Sequence, residues 1–128
     1  MALLHEERLR GVHPDLVAVV REASRAMPWD VAVIEGIRTV ERQKILVHQG
    51  ASKTMNSRHI PGADGLGKAV DLAPAPDGQI SWAWPLYYIL APIMKQTAAR
   101  LVIQVEWGGD WVSFKDGPHW QLPAAKYP

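Results

Sequence analysis

The hydrophobic period of this sequence switches repeatedly between helical and extended spacing, and several switches fall at a proline or a glycine. From Pro14 to Met27 the apolar residues Leu16, Val19, Val20, Ala23 and Met27 recur at helical spacing. Pro14 suits the first turn of such a helix, and Pro28 ends it. Trp29–Ile34 alternates around the β-branched Val31 and Val33, the pattern of a short strand. Thr39 can cap a second helix running to His48, with Gly50 as its stop. Residues 51–67, rich in Ser, Asn and Gly, read as loop, and Lys68–Leu72 as a short strand followed by a turn over Pro74–Gly78. Pro85–Arg100 reads as a third helix with Leu86, Ile89, Leu90, Ile93 and Met94 facing a core, and Pro92 is expected to kink it or end it early. Leu101–Trp107 and Trp120–Leu122 read as strands. No repeat or linker divides the chain. The expectation is a single domain, residues 1–128, of α+β class: about three helices around a small, mostly antiparallel sheet.

Composition narrows the chemistry. A chain of 128 residues with 48% hydrophobic and 21% charged residues can bury one real core. Fourteen basic residues against thirteen acidic ones leave a net charge of +1, which argues against nucleic-acid binding through clustered Lys and Arg. With no cysteine, disulfides, thiolate zinc sites, Fe–S clusters and thiol nucleophiles are excluded, so any metal must be held by His and carboxylates. The N-terminal run through Arg8 carries two acids and no long apolar segment, so it does not read as a secretory signal. The longest uncharged stretch, Gly78–Met94, is shorter than the ~20 residues that span a bilayer and contains Gln79, Ser81, Pro85 and Pro92. No membrane insertion is expected.

Two of the five histidines stand in unusual settings. His59 follows a polar loop, and His119 follows Asp116-Gly117-Pro118 just before the last strand. Asp71 lies between them, an acid inside an apolar strand. Two imidazoles and one carboxylate make a three-ligand zinc site, with Asp116 beside the remaining position as a base. Two surface histidines and two solvated aspartates account for the same residues, and spacing alone leaves both readings open.

The motifs themselves resemble a known family. Ser57-x-His59, Gly67-x-Ala69-x-Asp71 and Asp116-x-x-His119 are similar to the zinc peptidases of the D-alanyl-D-alanine carboxypeptidase and dipeptidase superfamily, and above all to its phage-type L-alanyl-D-glutamate endopeptidases. The resemblance runs from Gly36, Arg38, Thr39 and Gln43, through the segment Gly50–His59, to Glu106–Trp111 and Phe114–Leu122, roughly the last two-thirds of the chain. It implies a hedgehog/DD-peptidase-like fold, one Zn²⁺ held by His59, Asp71 and His119, Asp116 as general base and then general acid, and Arg38 as a guanidinium for a substrate carboxylate or oxyanion. Ser57 is expected to hold substrate or the metal-binding loop, with a plain turn as the alternative, and Gln43 to be structural. His5, His13 and His48 match no motif and read as surface or cap residues.

One departure stands out. The family pattern is Ser-x-His-x-x-Gly-x-Ala-x-Asp, whereas eleven residues separate His59 from Asp71 here, five more than in that pattern. Gly62 fits its first glycine position and Gly67 the one before Ala-x-Asp, so the extra residues fall between them and are expected to bulge at the cleft rim. Asp64 lies in this insertion and competes with Asp71, which is favoured because a strand holds a ligand more firmly than a loop. Of the six tryptophans, Trp82 and Trp84 are expected to build core and helix start, and Trp107, Trp111 and Trp120 to flank the cleft.

The resemblance thus implies a monomeric lysis enzyme that cuts the L-Ala–D-Glu bond of bacterial peptidoglycan. It would wait in the host cytoplasm until a separate protein permeabilises the membrane. Two alternatives share the motifs: a D-Ala-D-Ala carboxypeptidase or dipeptidase, and a non-catalytic zinc-dependent binding module. The dipeptidase branch usually carries Glu where Asp116 stands, and a pure binder needs neither Asp116 nor Arg38.

Overall fold

The computed structural model describes residues 1–128 and places strand β1 at Leu3–Leu4, helix α1 at Pro14–Ala26, β2 at Asp30–Glu35, α2 at Val40–His48, β3 at Ala69–Ala75, α3 at Trp84–Arg100, β4 at Glu106–Trp107 and β5 at His119–Gln121. The helix ends follow their local chemistry. His13 caps α1 by accepting the Asp15 N–H on Nδ1 at 3.0 Å, and Thr39 caps α2 by accepting the Arg42 N–H on Oγ1 at 3.0 Å. Gly50 leaves α2 at φ 77°, a left-handed value that glycine adopts freely.

The sheet has the order β1-β2-β3-β5-β4, with β1 parallel to β2 and every other pair antiparallel. β1, two residues long, is too short to show a period in the sequence. Against expectation, β3 starts at Ala69 and continues through Pro74 to Ala75, so the turn contracts to Pro76–Gly78. β5 pairs only with Ala69–Asp71, so β3 is an edge at Pro74, the position where a sheet tolerates proline. β5 is His119–Gln121, one residue earlier than expected.

Helix α3 also departs from its pattern. It runs unbroken through Pro92, because Pro92 and Tyr88, whose carbonyl the proline cannot bond, both face solvent. Its buried stripe is Tyr87, Leu90, Ala91, Met94, Thr97 and Ala98, while Ile89 is exposed. The contact face is thus turned by about one position from the expected one, and α3 packs against α1. The expected strand from Leu101 shrinks to β4, since the preceding residues are spent ending α3. Ile103 N–H bonds to the Ala98 carbonyl at 2.9 Å and Val102 N–H to that of Ala99 at 3.1 Å, the paired closure of a left-handed helix terminus, with Val102 at φ 58°.

One cluster of 19 buried side chains forms the core, drawn from α1, α3 and alternate residues of the sheet, including Val31, Val33, Val70, Leu72 and Trp120. Trp107 and Trp120 stack there with ring centroids 5.8 Å apart, so they are core and do not flank the cleft. Trp82 and Trp84 correct the opposite way as core residues, since both are exposed, while Trp84 opens α3 as expected and its ring packs against Tyr87 and Tyr88 of that helix.

Candidate active site

Strand geometry decides which side chains meet. Val70 and Leu72 enter the core, so Asp71 between them points to the other face of the sheet. Trp120 likewise enters the core and leaves His119 and Gln121 on the Asp71 side, and the register sets Asp71 directly opposite His119. On the other flank, β2 carries an irregularity between Val33 and Glu35 that places Glu35, not Ile34, opposite Asp71. His59 arrives from the loop. Its backbone carbonyl accepts the Arg38 N–H at 2.9 Å, and its own N–H donates to Ser57 Oγ at 3.2 Å.

His59, Asp71 and His119 thereby present ligand atoms that all lie within 4.8 Å of one another. His59 Nε2 and His119 Nδ1 stand 3.3 and 3.4 Å from Asp71 Oδ1, yet that buried oxygen has no hydrogen-bond partner. The far ring nitrogens explain the arrangement. His59 Nδ1 meets the Gly36 carbonyl at 2.8 Å, and His119 Nε2 meets Gln121 Oε1 at 2.7 Å. Each of these nitrogens faces an acceptor and must carry its proton, so in the neutral rings the inward nitrogens hold lone pairs. Gln121 is itself fixed by donating from Nε2 to Glu106 Oε1 at 2.9 Å. Two lone pairs and an orphaned carboxylate oxygen converging on one point call for a cation, and this N₂O set fits zinc.

Asp64, the competing acid, lies elsewhere. It pairs with buried Lys68 at 2.8 Å and accepts the Leu66 N–H at 3.0 Å. The inserted residues close on themselves through Gly62 and Leu66 and do not line the cleft, so the expected bulge at its rim is corrected: the Lys68 pair holds the loop away.

The three ligands lie in a cleft of about 720 Å³ that also exposes Arg38, Ser57, Trp111 and Asp116. Burial and the charge of Asp71 raise the Asp116 carboxyl above its ordinary range, against the pull of His119, His59 and Arg38. Burial acts on Asp71 in the same sense, but the facing His119 and His59 outweigh it and hold that carboxyl low. His119 shifts upward: burial opposes this, and Asp71, Gln121 and Asp116 overcome it.

Arg38 is less free than a substrate anchor read from sequence. Its Nε and Nη2 donate to both Glu35 oxygens at 2.8 and 2.9 Å, and Nη1 donates to Gln43 Oε1 at 2.9 Å. Nη2 also lies 3.7 Å from Asp71 Oδ2. Gln43, fully buried, is structural in a specific way, clamping Arg38 while donating to Ser52 Oγ and to the Thr54 carbonyl. Sequence reasoning missed Glu35, Glu106 and Gln121. Gln121 was within reach, being two residues beyond His119 and hence on the same strand face, whereas Glu35 depends on the irregularity in β2.

A mostly antiparallel sheet with helices on it, carrying two imidazoles and a carboxylate on its open face, is the architecture of a mononuclear zinc peptidase, and the chain falls in that class. It belongs to the phage L-alanyl-D-glutamate peptidase family, whose model matches residues 2–121. It is 31% identical over 110 residues to the L-alanyl-D-glutamate peptidase of Escherichia phage T5, a match covering 83% of this chain and 77% of that protein. It is 37% identical over 93 residues to the enzyme of that name from Listeria phage A118, covering 73% of this chain but 30% of the longer relative. Among solved structures, the Serratia marcescens L-Ala D-Glu endopeptidase ChiX superposes with a TM-score of 0.90 at 43% identity, covering 100% of this chain and 94% of that one. A vancomycin-resistance D,D-pentapeptidase, VanY, shares the fold at 18% identity and a TM-score of 0.53, over 87% of this chain and 72% of its own.

Proposed function

We propose that the protein is a zinc-dependent endopeptidase that hydrolyses the L-Ala–D-Glu bond of bacterial peptidoglycan during phage lysis. The observation that carries this reading is the convergence of His59, Asp71 and His119, with their inward lone pairs, at the base of an open cleft in a chain of this family. Zinc held there supplies Lewis acidity, polarising a carbonyl and making water a competent nucleophile near neutral pH.

The chain's own groups do the rest. Asp116 Oδ takes a proton from the attacking water and returns it to the leaving nitrogen, a task suited to a carboxyl raised above its usual range. Three of the five Arg38 N–H bonds are committed to Glu35 and Gln43, which leaves two to brace Asp71 and meet a substrate oxygen. Ser57 Oγ accepts from the backbone of His59 and keeps its own proton for a substrate acceptor. The protein acts as a monomer, reaching the wall from the cytoplasm after a separate protein opens the membrane. No helix is long and apolar enough to cross a membrane.

The test is digestion of purified peptidoglycan with and without a chelator, followed by mass analysis. Chelator-sensitive products that begin with D-Glu are expected. Release of D-Ala would assign the carboxypeptidase reaction instead, and intact peptidoglycan with tight binding would make the protein a binding module.

A further inference from the structure

The charge balance of the cleft points to a second recognition element. Its acids are accounted for: Glu35 is paired with Arg38, Asp71 faces the metal position, and Asp116 is the proton carrier. Its cations are not. Arg58 is committed to the carbonyls of Leu122 and Tyr127 at 2.8 and 2.7 Å. Lys53 and Lys115 both line the cleft, and neither makes an ion pair or a side-chain hydrogen bond with the protein. The two positions are brought together where the Lys53 ammonium lies 4.9 Å from the ring centroid of Phe114, the residue before Lys115. Phe114 has a left-handed backbone at φ 54°, a conformation unfavourable for a non-glycine residue that persists when its surroundings impose it.

We propose that Lys53 and Lys115 form a carboxylate-binding subsite that selects the acidic residue on the amine side of the scissile bond. The proposal rests on the hydrolytic reading above and adds the chemistry of that specificity. In an L-Ala–D-Glu bond the glutamate gives its nitrogen to the scissile amide. Of its two carboxyl groups at most one continues the peptide, so another remains within a few bonds of the reacting centre, as a carboxylate or as its amide. Two ammonium groups with no acidic partner in the protein bind the carboxylate through charge-assisted hydrogen bonds and gain less from the amide, whose oxygen accepts but carries no charge. Because both lysines are exposed, the preference is an electrostatic one that salt weakens.

The test uses zinc-loaded protein and two soluble peptidoglycan fragments that differ only in this group, free carboxylate or primary amide. Wild type is expected to favour the carboxylate in kcat/KM by about tenfold, carried by KM and shrinking as salt rises. The double variant Lys53→Met/Lys115→Met should bring the ratio close to one with zinc content unchanged, and Lys53→Arg/Lys115→Arg should keep it. The single Met variants, each expected to give an intermediate ratio, decide the matter should the double variant fold poorly. A wild type that cuts both fragments equally, or Met variants that retain the full preference, would overturn the subsite and leave the endopeptidase standing. Cleavage of neither fragment would overturn both.

Discussion

A carboxylate that binds metal and one that moves protons fail differently when neutralised, which separates Asp71 from Asp116. Asp71→Asn removes the negative charge from the group on which both imidazoles converge, so zinc content and activity should fall together. Asp116→Asn should leave zinc content and melting temperature nearly intact while kcat falls by about 10²–10⁴-fold, since a positioned acid/base group contributes that much. Elemental analysis beside initial rates checks both variants. Loss of zinc from Asp116→Asn would move that residue among the ligands. Gln121→Leu probes a subtler dependence. It removes the acceptor that keeps the His119 proton on Nε2, so the Nδ1 lone pair is no longer enforced. Zinc affinity should weaken by about 10–100-fold, as for other partners of metal-bound histidines, in a competition titration with a chromogenic chelator.

β3 and β5 present Asp71, His119 and Gln121 on one face of the sheet, the loop before β3 brings His59 to them, and α1 and α3 seal the opposite face. Between elements the chain tolerates strain, most plainly at Val102, which ends α3 in a left-handed conformation while 83% exposed. A β-branched side chain there costs about 1–2 kcal/mol, partly offset in glycine by its greater unfolded-state entropy. Val102→Gly should therefore stabilise the protein by roughly 0.5–1 kcal/mol in urea denaturation, with activity unchanged. Gly108 behaves in the opposite way. A Cβ there would run into the Asp116 carbonyl, whose own N–H donates to the Gly108 carbonyl at 3.0 Å. Gly108→Ala should push Asp116 out of place and lower kcat with little change in bound zinc, as parallel rate and metal measurements would reveal.

For the molecule as a whole, the metal and the proton make opposite demands. In the metal-free protein the depressed Asp71 carboxyl contributes stability above its ordinary pKa, lost as pH falls through the folded value. The elevated His119 contributes below its ordinary pKa, and this is lost as pH rises through the folded value; the raised Asp116 acts in the same direction. Asp71 and His119 together should therefore favour the metal-free protein most between about pH 4 and 6.5, with Asp116 adding only toward the acid end of that window. Zinc requires both imidazoles neutral, so its stabilisation should grow from pH 5 to pH 8. Thermal melts with excess zinc or with chelator across that range should show a widening gap, and a gap independent of pH would argue against histidine ligation.

Local and chemical features of this chain are readable from its residues alone. The helix cap at Thr39, the glycine stop at Gly50 and the alternation through Val31 and Val33 were legible because each depends on neighbours a few positions away. His59, Asp71, Asp116 and His119 stood out through the family resemblance of their motifs, since spacing alone left them open. Preference for Asp71 over Asp64 was legible too, through its strand context. Tertiary structure decided whatever depends on a partner far along the chain. The irregularity in β2 brings Glu35 beside Asp71, packing of the helices on the core selects the buried face of α3, and pairing with Lys68 withdraws Asp64 from the cleft. The orientation of the imidazoles belongs here as well. The proton on His59 is fixed by a carbonyl 23 residues away, and that on His119 by an amide whose own direction is set by Glu106, and no local pattern encodes such acceptors.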